Sequence, residues 1–142
     1  MTPPNLQPFL DELRQSVSGE IRADELSRTL YSSDASIYQV KPYAVLIPRS
    51  VDDIQAAVQI AAKYHIPLLP RGGGTSMAGQ TVNEDLFIDT TPYRNRILEV
   101  NGDEKWVRAE PGVVLASLNT HLKPYGLKFG PAPASGTRAV LG

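Results

Sequence analysis

Leu6, Phe9, Leu10, Leu13 and Val17 recur at helical spacing behind Pro3 and Pro4, with Gly19 as a stop, and predict an amphipathic first helix. DELSRTLY, reaching from beside Ala23 to Tyr31, predicts a second short helix, and SSDASIYQVKP then breaks the period at a proline. The run AVLI (44–47), between Pro42 and Pro48, reads as a buried strand. Ser50 is placed to cap a following helix with Asp52 and Asp53 in its first turn. Ile54, Ala57, Val58 and Ala61 form its apolar face, and His65 and Pro67 end it. Residues 66–69 read as the next strand, so strand, helix and strand form a βαβ unit with parallel strands. LFIDT (86–90), RILEVNG (96–102) and KWVRAEP (105–111) continue as strands, the last two joined by a turn at Asn101 and Gly102. Val114, Leu115, Leu118 and Leu122 mark a helix over 113–122, and the Gly/Pro/Ala/Ser-rich tail 126–142 reads as loop.

The fold class expected is therefore α/β (α+β), in a chain of 142 residues that can bury one core. Fourteen basic and fifteen acidic residues leave a net charge of -1, which gives no electrostatic reason to expect nucleic acid or an anionic membrane as partner. The absence of cysteine excludes disulfides, thiolate nucleophiles and cysteine-ligated metals from this stretch. No signal-peptide pattern and no run of about 18 apolar residues occurs, so a cytoplasmic location without a transmembrane segment is expected.

The candidate chemistry lies in Pro70-Arg71-Gly72-Gly73-Gly74-Thr75-Ser76-Met77-Ala78-Gly79-Gln80, directly after a predicted strand. Successive glycines let backbone N–H groups converge on an anion, and Thr75 and Ser76 add hydroxyl donors. A flexible turn is the bland reading of the same residues. The dinucleotide pattern G-x-G-x-x-G fails, because Met77 stands where its third glycine belongs. Gly74 and Gly79 have P-loop spacing and Thr81 the Ser/Thr position, but Gln80 replaces the lysine, which argues against NTPase chemistry. His65 and His121 fall near predicted helix ends and read as capping or solvated groups. Asp34 and Asp89 have no partner carboxylate or metal-ligand spacing, and Tyr31, Tyr38, Tyr43 and Trp106 read as packing.

PRGGGTSMAGQ resembles the pyrophosphate-binding loop of the FAD-binding domain shared by the vanillyl-alcohol oxidase and p-cresol methylhydroxylase (PCMH) family. Upstream, YSSDAS and AVLIPRSVDDIQAAVQIAAKYHIPLLPRGGG are similar to its entry segment, first strand and first helix, especially in the D-lactate and glycolate dehydrogenase-like branch. VRAEPGVVLASLNTHLKPYGLKFGPAPAS resembles its second flavin-contacting segment, and the likeness covers about residues 25–142. It implies a two-lobed FAD-binding domain of PCMH type, with Arg71, Gly72, Gly73, Gly74, Thr75 and Ser76 lining the diphosphate site and Gly79 and Gln80 nearby. Pro131, Ser135 and Gly142 carry over from the second segment, and Arg71 has structure as its alternative role. Thr75 occupies the position of a flavin-linking histidine found in some members, which implies non-covalent FAD. Ala132 and Val140 depart from the family's aspartate and threonine.

The resemblance also implies that the second lobe is truncated at Gly142, so residues 1–24 are expected as a helical extension and 25–142 as an incomplete domain. No catalytic residue and no metal site is expected in this stretch, and a missing C-terminal domain or a partner subunit is expected to cover it. The full-length protein would be an FAD-dependent oxidoreductase acting on a 2-hydroxy acid such as D-lactate or glycolate. The competing reading is a non-catalytic FAD-binding or assembly fragment, inactive alone. A phosphate-binding module unrelated to flavin would need only the loop.

Overall fold

In the computed structural model, which describes residue 3 and residues 5–142, helix α1 (Leu6–Ser16) turns Phe9, Leu10 and Leu13 into the core, as its spacing requires. A three-residue strand β1 (Glu20–Arg22) follows, then α2 (Glu25–Leu30), whose Asp24 side chain caps the Ser27 N–H at 2.9 Å. Strand β2 (Ala44–Ile47) is buried along its whole length. Helix α3 (Val51–Tyr64) starts at a capping box in which Ser50 and Asp53 bond each other's backbone N–H. Its core face is Ile54, Ala57, Ile60 and Ala61; Val58, expected on that face, is 48% exposed because it lies one residue round from the stripe.

Strand β3 is Leu68–Arg71, displaced from the expected 66–69, and β4 is Leu86–Asp89. The sheet order is β1-β2-β4-β3, with β1 antiparallel to β2 and both β2 and β3 parallel to β4, so β4 separates the two strands that flank α3. Pro70 is tolerated because β3 is an edge strand, where a missing N–H leaves no neighbour unpaired. The sheet buries alternate residues on two faces: Leu46, Leu86 and Ile88 pack with α1 and α3, while Val45, Ile47 and Phe87 pack with Tyr31 and Leu69. The first of these clusters contains Phe9, Leu10 and Leu13, so the core runs unbroken across the boundary at residue 24.

One buried carboxylate ties this arrangement together. Asp53 accepts hydrogen bonds from Ser18 N–H (2.8 Å), Arg49 N–H (2.8 Å) and Ser50 N–H (3.3 Å), joining the α1–β1 turn to the start of α3.

Strands β5 (Ile97–Asn101) and β6 (Trp106–Ala109) form the expected antiparallel hairpin, and α4 (Leu115–Leu122) packs Leu118 and Leu122 with Val113 against its Ile97, Val100, Val107 and Ala109. Buried Glu110 closes the base of the hairpin, accepting from Arg96 N–H at 2.9 Å and pairing with Arg94 and Arg96. No side chain caps α4; its first N–H groups are satisfied by the returning tail, Leu115 N–H by Ala139 O and Ala116 N–H by Gly136 O. Leu141 and Gly142 N–H bond Val113 O and Pro111 O, which fixes the tail beside the glycine loop.

Candidate functional site

The glycine loop leaves the sheet at Arg71, whose side chain is 7% exposed and turns inward. The guanidinium donates to three backbone carbonyls: Ser33 O at 2.7 Å, Thr81 O at 2.7 Å and Tyr31 O at 3.2 Å. It also lies over the Tyr31 and Phe87 rings. Burial pulls this group below its ordinary value, opposed by the charges of Asp34 and Asp89 and by Tyr31. Tyr31 donates from its hydroxyl to Asp89 at 2.6 Å, and burial, with that bond, raises the phenol far above its ordinary value. Asp34 accepts from Ser36 N–H at 2.8 Å and from the Thr81 hydroxyl at 3.0 Å; burial pushes it up, but these bonds prevail and hold the carboxyl below its ordinary range.

Each glycine of the run is matched by a close neighbour. A Cβ on Gly72 would lie 2.2 Å from Val140 Cγ2, and one on Gly73 would lie 2.4 Å from the Arg138 carbonyl oxygen. Gly74 has φ +62° and lies against the Arg71 guanidinium; Gly79 has φ +79° and lies beneath the Tyr38 ring. The tail thus covers one side of the loop and the 31–38 segment supports the other.

What remains available is the run of amides. Among the described residues, the backbone N–H groups of Gly72, Gly73, Gly74, Thr75, Ser76 and Met77 donate to no protein acceptor, and neither do the Thr75 and Ser76 hydroxyls. Gly72 to Ser76 line a recess of about 180 Å³ together with Pro70, Thr81, Val140 and Gly142. A second recess, of about 400 Å³, meets the first at Gly73 and Val140 and is lined further by Thr91, Asn95, Gly112, Val114, Ser117, Thr137 and Arg138. Unspent donors in one recess, with Arg138 lining the next, fit a phosphate-bearing ligand, and two adjoining recesses fit one that extends to both sides of its phosphates.

The structure therefore brings Gly72, Gly73, Gly74, Thr75, Ser76 and Gly142 to one place. Gly79 and Gln80 follow in the loop, where the Gln80 side-chain Oε1 accepts from Ala78 N–H at 3.3 Å. Pro131 is exposed in the preceding loop, and the Ser135 carbonyl accepts from Arg138 and Ala139 N–H in the turn that directs the tail. Thr137, Arg138 and Val140 line the recesses and were not among the expected residues. His65 caps α3 in a left-handed conformation, and His121 is exposed in the last turn of α4. No helix among the described residues is long and apolar enough to cross a membrane.

A family model described as an FAD binding domain matches residues 42–142. D-2-hydroxyglutarate dehydrogenase of Pantoea ananatis is 41% identical over 138 residues, which are 94% of this chain and 14% of that protein. Glycolate oxidase subunit GlcD of Bacillus subtilis is 32% identical over 130 residues, 89% of this chain and 28% of that one. The chain thus spans about a seventh and about a quarter of the lengths of these two relatives. Among solved structures, alkyldihydroxyacetonephosphate synthase superposes with a TM-score of 0.83 at 23% identity, over 96% of this chain and 28% of that one, and shows the same fold. With the family model spanning most of the chain and the amide-lined loop inside that span, the chain belongs to the FAD binding domain family, and FAD is its cofactor.

Proposed function

We propose that this chain is the FAD-binding part of a flavin-dependent oxidoreductase that oxidises a 2-hydroxy acid in its full-length form. The observation that carries the reading is the run of six unspent amides from Gly72 to Met77 in a chain of the FAD binding domain family. Those amides hold the FAD diphosphate, Thr75 and Ser76 add hydroxyls, and Gly79 and Gln80 complete the loop. Arg71 stands behind it, while Ser135 and Gly142 order the tail that closes it and Pro131 begins that segment. On this reading FAD is held non-covalently, since Thr75 stands at the position where some members of the resembled family carry a flavin-linking histidine. The bound flavin supplies the redox chemistry, and this chain's residues bind and orient it.

The relatives' names point to the substrate class: D-2-hydroxyglutarate and glycolate are both 2-hydroxy acids, and the former belongs to the 41% identical relative. On this reading the substrate-binding and catalytic groups lie in a further domain or a partner subunit and the protein works in the cytoplasm; the chain spans 14% of that relative.

The test is FAD titration of the chain by flavin fluorescence, with Ser76→Glu and Ser76→Gln. A carboxylate about 5–8 Å from a phosphate, at an effective dielectric constant near 20, opposes binding by about 2–3 kcal/mol, on the order of a hundredfold at low salt. Saturable binding that survives Gln and is lost with Glu supports the reading; equal affinities in the two variants would sink it.

A further inference from the structure

We propose that Arg71 is a positioning residue: with the entry segment 31–38 it forms a brace that holds the glycine loop with its amides outward, and it does not itself ligate the anion. This rests on the FAD reading for its consequence and on the protein's own contacts for its geometry.

Every bond between brace and loop uses a loop group other than the six amides. Arg71 binds the carbonyl of Thr81 at one end of the loop and those of Tyr31 and Ser33 in the entry segment. Ala35 N–H takes the carbonyl of Gly74 at 3.0 Å, and Asp34 takes the Thr81 hydroxyl at 3.0 Å. With the Gly74 and Thr81 carbonyls held by the brace, the six amides keep their hydrogen-bonding capacity before any ligand arrives, so the cost of ordering the loop does not fall on the binding step. Positive φ at Gly74 belongs to the same arrangement, because a side chain there would strike the guanidinium.

The fork matters more than the charge. A guanidinium spans three carbonyls in fixed directions, one nitrogen serving Tyr31 and Thr81 and the other Ser33. Lysine keeps the charge and loses that span.

Arg71→Lys and Asp34→Asn separate the brace from a simple cation effect. As a ligand through charge, Arg71 would be largely replaced by lysine, and removing the Asp34 carboxylate would tighten FAD binding. As a brace, both variants weaken FAD binding, about tenfold for Arg71→Lys and several-fold for Asp34→Asn, with the salt dependence of affinity unchanged. Amide order parameters of Gly72 to Met77 in the ligand-free chain give a second readout, expected near the rigid value of about 0.85 and falling toward about 0.6 in both variants. Should Arg71→Lys fail to fold, Asp34→Asn decides by the sign of its effect. Tighter binding by Asp34→Asn, or an unchanged loop in both variants, overturns the brace. Loss of loop order in a chain with no saturable FAD binding would sustain the brace and refute the proposed function.

Discussion

Replacing Asp53 tests whether a single buried carboxylate joins the N-terminal segment to the rest of the core. Its oxygens accept two bonds of 2.8 Å, from Ser18 and Arg49 N–H, and a weaker one from Ser50 N–H at 3.3 Å, with the Ser18 hydroxyl also in reach. Hydrogen bonds to a charged acceptor contribute about 1.5–3 kcal/mol each, and the capping role adds about 1 kcal/mol. Ser18 and Arg49 are exposed, so water recovers part of this in the variant. Asp53→Ala is therefore expected to lose about 3 kcal/mol and Asp53→Asn about 2 kcal/mol, since the amide offers one oxygen and turns an NH2 toward the remaining donor. With a urea slope of about 1–3 kcal/mol per molar, the Ala midpoint falls by about 1 M or more at neutral pH. Burial pushes this carboxyl up, but the bonds from Ser18, Arg49 and Ser50 outweigh it and set the folded value below the ordinary 3.8. Its stabilisation is then complete above that ordinary value and lost as pH falls through the lowered folded one, so wild type and Asp53→Asn should converge in acid. An Ala variant within about 0.5 kcal/mol of wild type at neutral pH would refute the hub.

Further positions test the packing of the glycine loop and the burial of an unpartnered carboxylate. Gly72→Ala strikes the Val140 side chain, and Val140→Ala moves the nearest side-chain atom back to 3.7 Å; the double variant should recover most of a loss of about 1–3 kcal/mol in urea unfolding, whereas Gly73→Ala meets the Arg138 backbone and should not be rescued. Asp85 is 3% exposed with Oδ1 unpartnered, and burial raises its carboxyl above the ordinary value, so its ionisation opposes folding above that raised value and the opposition fades as pH falls toward 3.8. Asp85→Asn should stabilise the chain by about 1 kcal/mol at neutral pH and lose that advantage in acid; lower stability in the variant at neutral pH would contradict the assignment.

The elements that the sequence announces most clearly are those with local chemistry at their boundaries. Ser50, Asp52 and Asp53 signal α3 because the cap and the acidic first turn fall within four consecutive residues, and the 44–47 strand stands between prolines. Strand β1 escapes because EIR is too short to show a period, and β3 starts at Leu68 because pairing with β4, a non-local event, sets its register. Val58 shows the limit of helical spacing: it is apolar and adjacent to the stripe, and only packing decides which side of the edge it falls on. At the site, the glycine run and its hydroxyls were legible, whereas Thr137, Arg138 and Val140 were not. The tail reaches the loop through the Arg138 and Gly142 carbonyls and the Val140 side chain, non-local contacts that no local residue pattern announces. Arg71 is ambiguous for a related reason, since an arginine beside a phosphate loop has the same letter whether it faces the anion or the core.

The glycines carry two demands at once. Their chemistry points to anion binding, yet Gly72 and Gly73 must also lack Cβ so that the tail can lie against them, and Gly74 and Gly79 must adopt positive φ against Arg71 and Tyr38. A carboxylate introduced at Gly73 would therefore dislodge the tail through the Arg138 carbonyl before it could repel a phosphate, and lost binding there would not identify the ligand's charge. Ser76 is free of these contacts, and its hydroxyl and N–H are unspent, so the comparison of Glu with Gln at that position isolates electrostatics from packing. The side of the backbone without Cβ is consumed by the fold, the Gly74 carbonyl by the brace, and the amides are the donors left over for a ligand to satisfy.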